Sequence, residues 1–242
     1  MRHETHAERV RRRVKRSAKT RTPSKAEQPV PVDCRLTRAE RRQQIKADLT
    51  KAAAKVVGQV GYQNAMVSKI TEEANVSHGT FYNYFESRQD LFDKLLPALG
   101  DELIDHIRTR ATGAPNAFER EKRSFMAFFE FLQSTPEFYR VLYEAELFAP
   151  KGYKQHVDQI AELYVRTLER EAAQGQITLI NHQEAETIAF MLMGARHYLC
   201  MHFARENGRT VALPEDVLNA YLRIISTGMY HTSDGLTAEP PV

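Results

Sequence analysis

The sequence predicts an all-α fold in two parts, a small group of three helices followed by a larger helical bundle. Three observations carry that expectation. Apolar residues recur at three- and four-residue spacing, the period of an amphipathic helix, and the two-residue alternation of strands is rare. Glycine or proline stands at the ends of the periodic runs, as at Gly61, Pro136 and Gly175. A short stretch, Ser68 to Phe92, has the punctuation of two brief helices joined by a tight turn.

The chain has 242 residues and a net charge of +3, but the charge is unevenly spread. Residues 1–25 hold ten Lys or Arg and two Glu, a net +8, so the remainder carries −5. With Pro23, Pro29 and Pro31 following, residues 1–35 read as a disordered basic arm. Thr37 and Glu40 have capping-box spacing and open a helix to about Val60. Its apolar stripe is Ile45, Leu49, Ala52, Ala53, Val56, Val57 and Val60, and Gly61 ends it. Arg38, Arg41, Arg42 and Lys46 lie at its basic start, either against phosphate or as a solvated face.

Ser68 to Ala74 has the length of a two-turn helix. Asn75 tolerates the left-handed turn, and Ser77 is a good N-cap for a second helix to about Phe85. Phe81, Tyr84 and Phe85 stand at i, i+3 and i+4 and form an inner stripe. His78, Gly79, Tyr82 and Asn83 are left pointing elsewhere, with no acid among them. This is the pattern of a helix-turn-helix that reads DNA.

At these residues the chain resembles the TetR family of bacterial transcriptional regulators. The resemblance rests on Ile70-Thr71, Ala74-Asn75-Val76-Ser77, Gly79-Thr80-Phe81-Tyr82, Tyr84-Phe85, Ser87-Arg88 and Asp90-Leu91, in the family's order and spacing. Four positions differ. Thr71 replaces a small Ala, Asn75 a turn Gly, Arg88 a Lys, and Met66 a Thr that caps the first helix of the motif. The resemblance implies an N-terminal three-helix helix-turn-helix DNA-binding domain over 36–86. A larger helical ligand-binding and dimerisation domain follows over 87–231, then a flexible tail over 232–242. Carried over by position, it assigns DNA contacts to Ser77, His78, Gly79, Thr80, Tyr82, Asn83, Tyr84 and Arg88. Tyr82, Tyr84, Arg88 and the backbone N–H groups near Gly79 suit phosphates, while His78, Thr80 and Asn83 suit base edges. Tyr84 equally fits the apolar core. The basic arm either follows phosphates and a minor groove beside this helix or is a solvated tail.

Beyond the motif, a helix is expected from Ser87 to about Thr109, kinked or broken at Pro97. That bend is either static or the point where a ligand-driven shift reaches the recognition helix. Further helices are expected over 117–133, 136–148, 152–173, 182–205 and 214–230. The last two carry apolar faces broad enough for ordinary packing or, as the resemblance implies, for a homodimer four-helix bundle that presents two recognition helices to a palindromic operator. Phe125, Phe129, Tyr139, Tyr143 and Tyr164 are candidates either for core or for the lining of an apolar effector cavity. Arg196 and His197, in an apolar run, need partners if buried. They either anchor a carboxylate or thioester ligand or pair with Glu144 or Glu146.

Other chemistry is not indicated. No phosphate loop, Cys-x-x-Cys or His-Glu-x-x-His occurs, and His197 and His202 are five apart, a poor metal pair. No enzyme activity, cofactor or metal is expected. Cys34 and Cys200 are read as two unrelated thiols. No run approaches the roughly 18 apolar residues of a membrane span, and the first residues are charged, so a cytoplasmic location is expected. The sequence therefore predicts a DNA-binding transcriptional regulator, a repressor released by a small hydrophobic or acyl-like effector. The alternative is a ligand-independent DNA-organising dimer dominated by its basic arm.

Overall fold

The computed structural model describes residues 37–179, 181–206 and 208–227. The basic arm, Cys34 and the C-terminal tail lie outside the described residues. The chain divides into two compact units, Met1–Glu40 and Arg41–Val242. Of the first, residues 37–40 hold the expected capping box. The Thr37 N–H donates to Glu40 Oε2 at 2.7 Å and the Glu40 N–H to Thr37 Oγ1 at 3.2 Å. Those bonds hold the Glu40 carboxyl below its usual pKa.

The described residues are helical almost throughout. Helix α1 is Arg38–Asn64, burying Leu49, Ala52, Ala53, Val56 and Val57 as the stripe requires. Its backbone leaves helical geometry at Gly61, with φ 77° and ψ 163°, and one further turn follows. Helix α2 is Val67–Glu73 and α3 is His78–Phe81. Asn75 joins them in the left-handed region, φ 51°. The recognition helix is shorter than expected: regular geometry stops at Phe81, and turns carry the chain on to Phe85.

Helix α4 runs unbroken from Arg88 to Ala111, capped by Ser87, whose Oγ accepts the Asp90 N–H at 3.0 Å. Proline within it corrects the expectation of a break. Pro97 has no N–H for the carbonyl four residues back, Asp93. That carbonyl instead faces Gly152 of α7 (Pro150–Ala173), where any Cβ would collide with it. One turn further along α7, the His156 ring fills the space over Gly100. The two helices thus meet over a notch cut by one proline and two glycines.

Helices α5 (Ala117–Ser134) and α6 (Phe138–Phe148) complete the wall around α4 and α7. Helix α8 is His182–Phe203. A two-residue antiparallel pair, β1 (Arg205–Glu206) and β2 (Arg209–Thr210), was not foreseen, and it leads to α9, Glu215–Thr227. The main core joins Leu49, Val57, Ile70, Phe81, Leu91 and Leu95 to Phe125, Leu132 and Phe138 without interruption. No helix among the described residues is long and apolar enough to cross a membrane.

Candidate nucleic-acid interface and effector cavity

The turn between α2 and α3 fixes one cluster of polar groups. Ser77 Oγ accepts the Thr80 N–H at 3.2 Å and lies 2.8 Å from Thr80 Oγ1, a cap contributing about 1 kcal/mol. The Thr71 hydroxyl, buried where a smaller residue was expected, donates to the Ser68 carbonyl at 3.0 Å. Phe81 and Phe85 are buried, and Tyr84 is half-buried against the same core. Ser77, His78, Gly79, Tyr82 and Asn83 are exposed, and Thr80 is half-buried. The Tyr82 ring lies 5.4 Å from that of His78, and the residue is 52% exposed. Arg88 turns back toward the motif's entrance. Its guanidinium is 3.5 Å from both the Gln63 carbonyl and Met66 Sδ, and 5.4 Å from the Phe92 ring centre. Met66 gives α2 no side-chain cap.

A second polar cluster anchors this motif to α6. The Arg140 guanidinium donates to the Gln59 carbonyl at 2.9 Å and the Gly58 carbonyl at 3.3 Å, closing the C-terminal end of α1. Glu144 accepts from Arg140 Nε at 2.7 Å and from the Tyr62 N–H at 2.9 Å, the amide that follows the Gly61 kink. Tyr62 is fully buried, with its ring edge-on to Phe92 at 4.8 Å and stacked on Phe148 at 6.1 Å. The pairing weighed for Glu144 with Arg196 is therefore corrected.

A cavity of about 1210 Å³ lies among α4, α5, α6, α7, α8 and α9. Its wall is largely apolar, from Leu103, Ile104, Phe128, Leu142, Val157 and Ile160. Of the seven candidate ligand residues, Tyr139, Tyr164, Arg196 and His197 line it. Phe125 and Phe129 do not line it and are buried in the core, and Tyr143 is on the surface, 62% exposed. Arg196 is only 4% exposed and its partner is Glu121, at 2.8 Å, rather than Glu144 or Glu146. It also donates to Ser124 Oγ and the Leu192 carbonyl, each at 3.3 Å. The guanidinium lies between the rings of Phe125 and Tyr164, at 5.3 and 5.2 Å. The Tyr221 hydroxyl donates to the same Glu121 oxygen. Burial alone would lower the Arg196 pKa, but the Glu121 carboxylate beside it holds it above its ordinary value.

Glu121, Ser124 and Tyr221 were not anticipated. Glu121 sits in the run Glu119-Arg120-Glu121-Lys122-Arg123, which reads as a solvated face. The available signal was its position one turn before the buried Phe125. The exposed lining residues include Arg108 and Arg170 at the ends of α4 and α7, and Phe190, Met191 and Ile224 on α8 and α9. No group of three or more potential metal ligands occurs among the described residues.

A helix-turn-helix with an exposed polar face is thus joined to a helical body with a largely apolar cavity. The family model described as bacterial regulatory proteins, tetR family, matches residues 49–95, the stretch that holds the helix-turn-helix. Over 110 residues it is 31% identical to the HTH-type transcriptional activator FasR of Mycolicibacterium smegmatis, covering 46% of this chain and about half, 48%, of that protein. It is 26% identical over 190 residues to the HTH-type transcriptional regulator BetI of Rhizobium meliloti, covering 75% of this chain and 91% of that one. Its fold matches that of FadR from Bacillus subtilis, solved in complex with stearoyl-CoA. The TM-score is 0.60 with 17% identity, over 76% of this chain and 99% of that one.

Proposed function

We propose that the chain is an operator-binding repressor that works as a homodimer in the cytoplasm and leaves DNA when its cavity takes up a molecule with a long acyl chain. The observation that carries this reading is the apolar cavity of about 1210 Å³ on the same chain as the exposed His78, Tyr82 and Asn83. The stearoyl-CoA in the complex with Bacillus subtilis FadR supports an acyl effector, and the exposed Arg108 and Arg170 on the cavity rim suit a charged head group left outside.

In this reading Tyr82 holds a phosphate and His78 and Asn83 meet base edges. Met191, Tyr198, Met201 and Phe203 on α8, with Ile224 on α9, are the exposed apolar groups that a second copy would cover. Phe138, Tyr139 and Leu142 of α6 touch the cavity, and Arg140 and Glu144 of the same helix hold the end of α1. An effector that favours a shifted α6 thereby favours a shifted motif, and the two recognition helices lose their match to successive grooves.

Titration onto the DNA upstream of its own gene and onto scrambled DNA tests this. The expected preference is about 10³-fold or more, lost in Tyr82→Ala and abolished by a long-chain acyl thioester. Equal affinity for both DNAs, collapsing with salt and with removal of residues 1–25, would instead place the binding in the basic arm.

A further inference from the structure

Building on the acyl reading above, we infer that Glu121 sets the head-group specificity of the cavity: it withholds Arg196 from ligand carboxylates, so that the site takes an acyl group whose carbonyl carries no charge. Among the described lining residues Arg196 is the cation most removed from water, 4% exposed, and it is the natural anchor for a fatty acid. That anchor is already taken. Glu121 neutralises it at 2.8 Å, and two further contacts go to Ser124 Oγ and the Leu192 carbonyl. The two rings at 5.3 and 5.2 Å close its faces. Tyr221 holds Glu121 in place from the other side.

A second carboxylate brought to this cluster would have to share one guanidinium with Glu121, leaving an excess negative charge out of water. Arg120 is itself paired with Glu171, and Arg108 and Arg170 are exposed at the helix ends, where they suit a head group outside the cavity rather than a carboxylate at this buried cluster. A neutral carbonyl meets no such obstacle. The Arg196 Nε–H is buried without an acceptor among the described residues, and a carbonyl oxygen could accept from it without adding charge.

The test measures binding of hexadecanoic acid, its methyl ester and its coenzyme A thioester to the full chain and to Glu121→Gln, which keeps the shape and removes the charge. The wild type is expected to bind the ester and thioester at least as tightly as the acid. Glu121→Gln is expected to reverse the order, favouring the acid by about tenfold or more, because Arg196 then lacks a counter-charge. If the unpaired guanidinium prevents the variant from folding, refolding is followed with each ligand, and the acid alone should recover the helical signal and melting temperature. A wild type that prefers the acid, a variant with an unchanged order, or recovery with the ester as readily as with the acid overturns the inference while leaving the acyl reading standing. Binding of none of the three by the wild type overturns both.

Discussion

His156 shows how a single residue can make stability depend on pH. It lies 5% exposed where α7 meets α4, its Nδ1 has no hydrogen-bond partner among the described residues, and burial pushes its pKa down to about 4 despite the opposing pull of Asp101. In the unfolded chain it titrates near 6.5, so between those values the unfolded state binds the extra proton and stability falls as pH falls. The loss is about 3 kcal/mol across that window and levels off below pH 4. Denaturant unfolding at pH 7 and pH 4.5 should show it, and His156→Leu should flatten the difference between the two. The sequence showed His156 only as one polar letter in a helical run. What isolates the ring is the absence of a Cβ at Gly100, a residue 56 positions earlier in the chain. Contacts of that range have no local signature. By contrast Ser77, Asn75 and Thr37 announced their roles because caps and turns are satisfied within three or four residues.

Among the elements, α6 serves two sites: some of its residues touch the cavity and others grip the end of α1. The Arg140–Glu144 pair is partly exposed, so its value lies less in Coulomb energy than in the backbone groups it satisfies, the carbonyls of Gly58 and Gln59 and the N–H of Tyr62. A double-mutant cycle with Arg140→Met and Glu144→Gln should give a coupling of about 0.5–3 kcal/mol in denaturant melts. The informative readout is the ratio of operator affinities with and without acyl ligand. It should fall toward one in the variants while each binding event, measured alone, persists. Intact coupling would return the relay to α4. The helices themselves were legible from their period, most with ends displaced by no more than two residues. The second helix of the motif was read too long, and Pro97 does not break α4, each for a definite reason. Turns after Phe81 keep Phe85 buried without a regular helix, and the carbonyl freed by Pro97 meets Gly152 instead of breaking α4.

For the whole molecule, the broad apolar faces of α8 and α9 divide. Leu192, Ala195, Leu199, Leu218, Leu222 and Ile225 pack inward, while Met191, Tyr198, Met201 and Phe203 remain exposed. The double substitution Met191→Glu with Tyr198→Glu should shift the sedimenting species to a monomer and weaken operator binding by about 100-fold or more, since each half-site is then engaged alone. An unchanged dimer would move the pairing surface elsewhere. Fold class and the exposed polar side of the helix-turn-helix could be read from the sequence because both are written in local spacing. The cavity could not, since its wall is drawn from six helices and its polar cluster joins Glu121 to Arg196 and Tyr221, which are 75 and 100 residues away in the chain.

Met191 and Ile224 belong both to that exposed face and to the cavity wall. If α8 and α9 are the pairing surface, occupancy of the cavity and association of two chains are linked by mass action. An acyl titration run well below the dimer dissociation constant would then return a different apparent affinity from one run above it, and abundance of the protein would itself tune how much effector is needed to clear an operator.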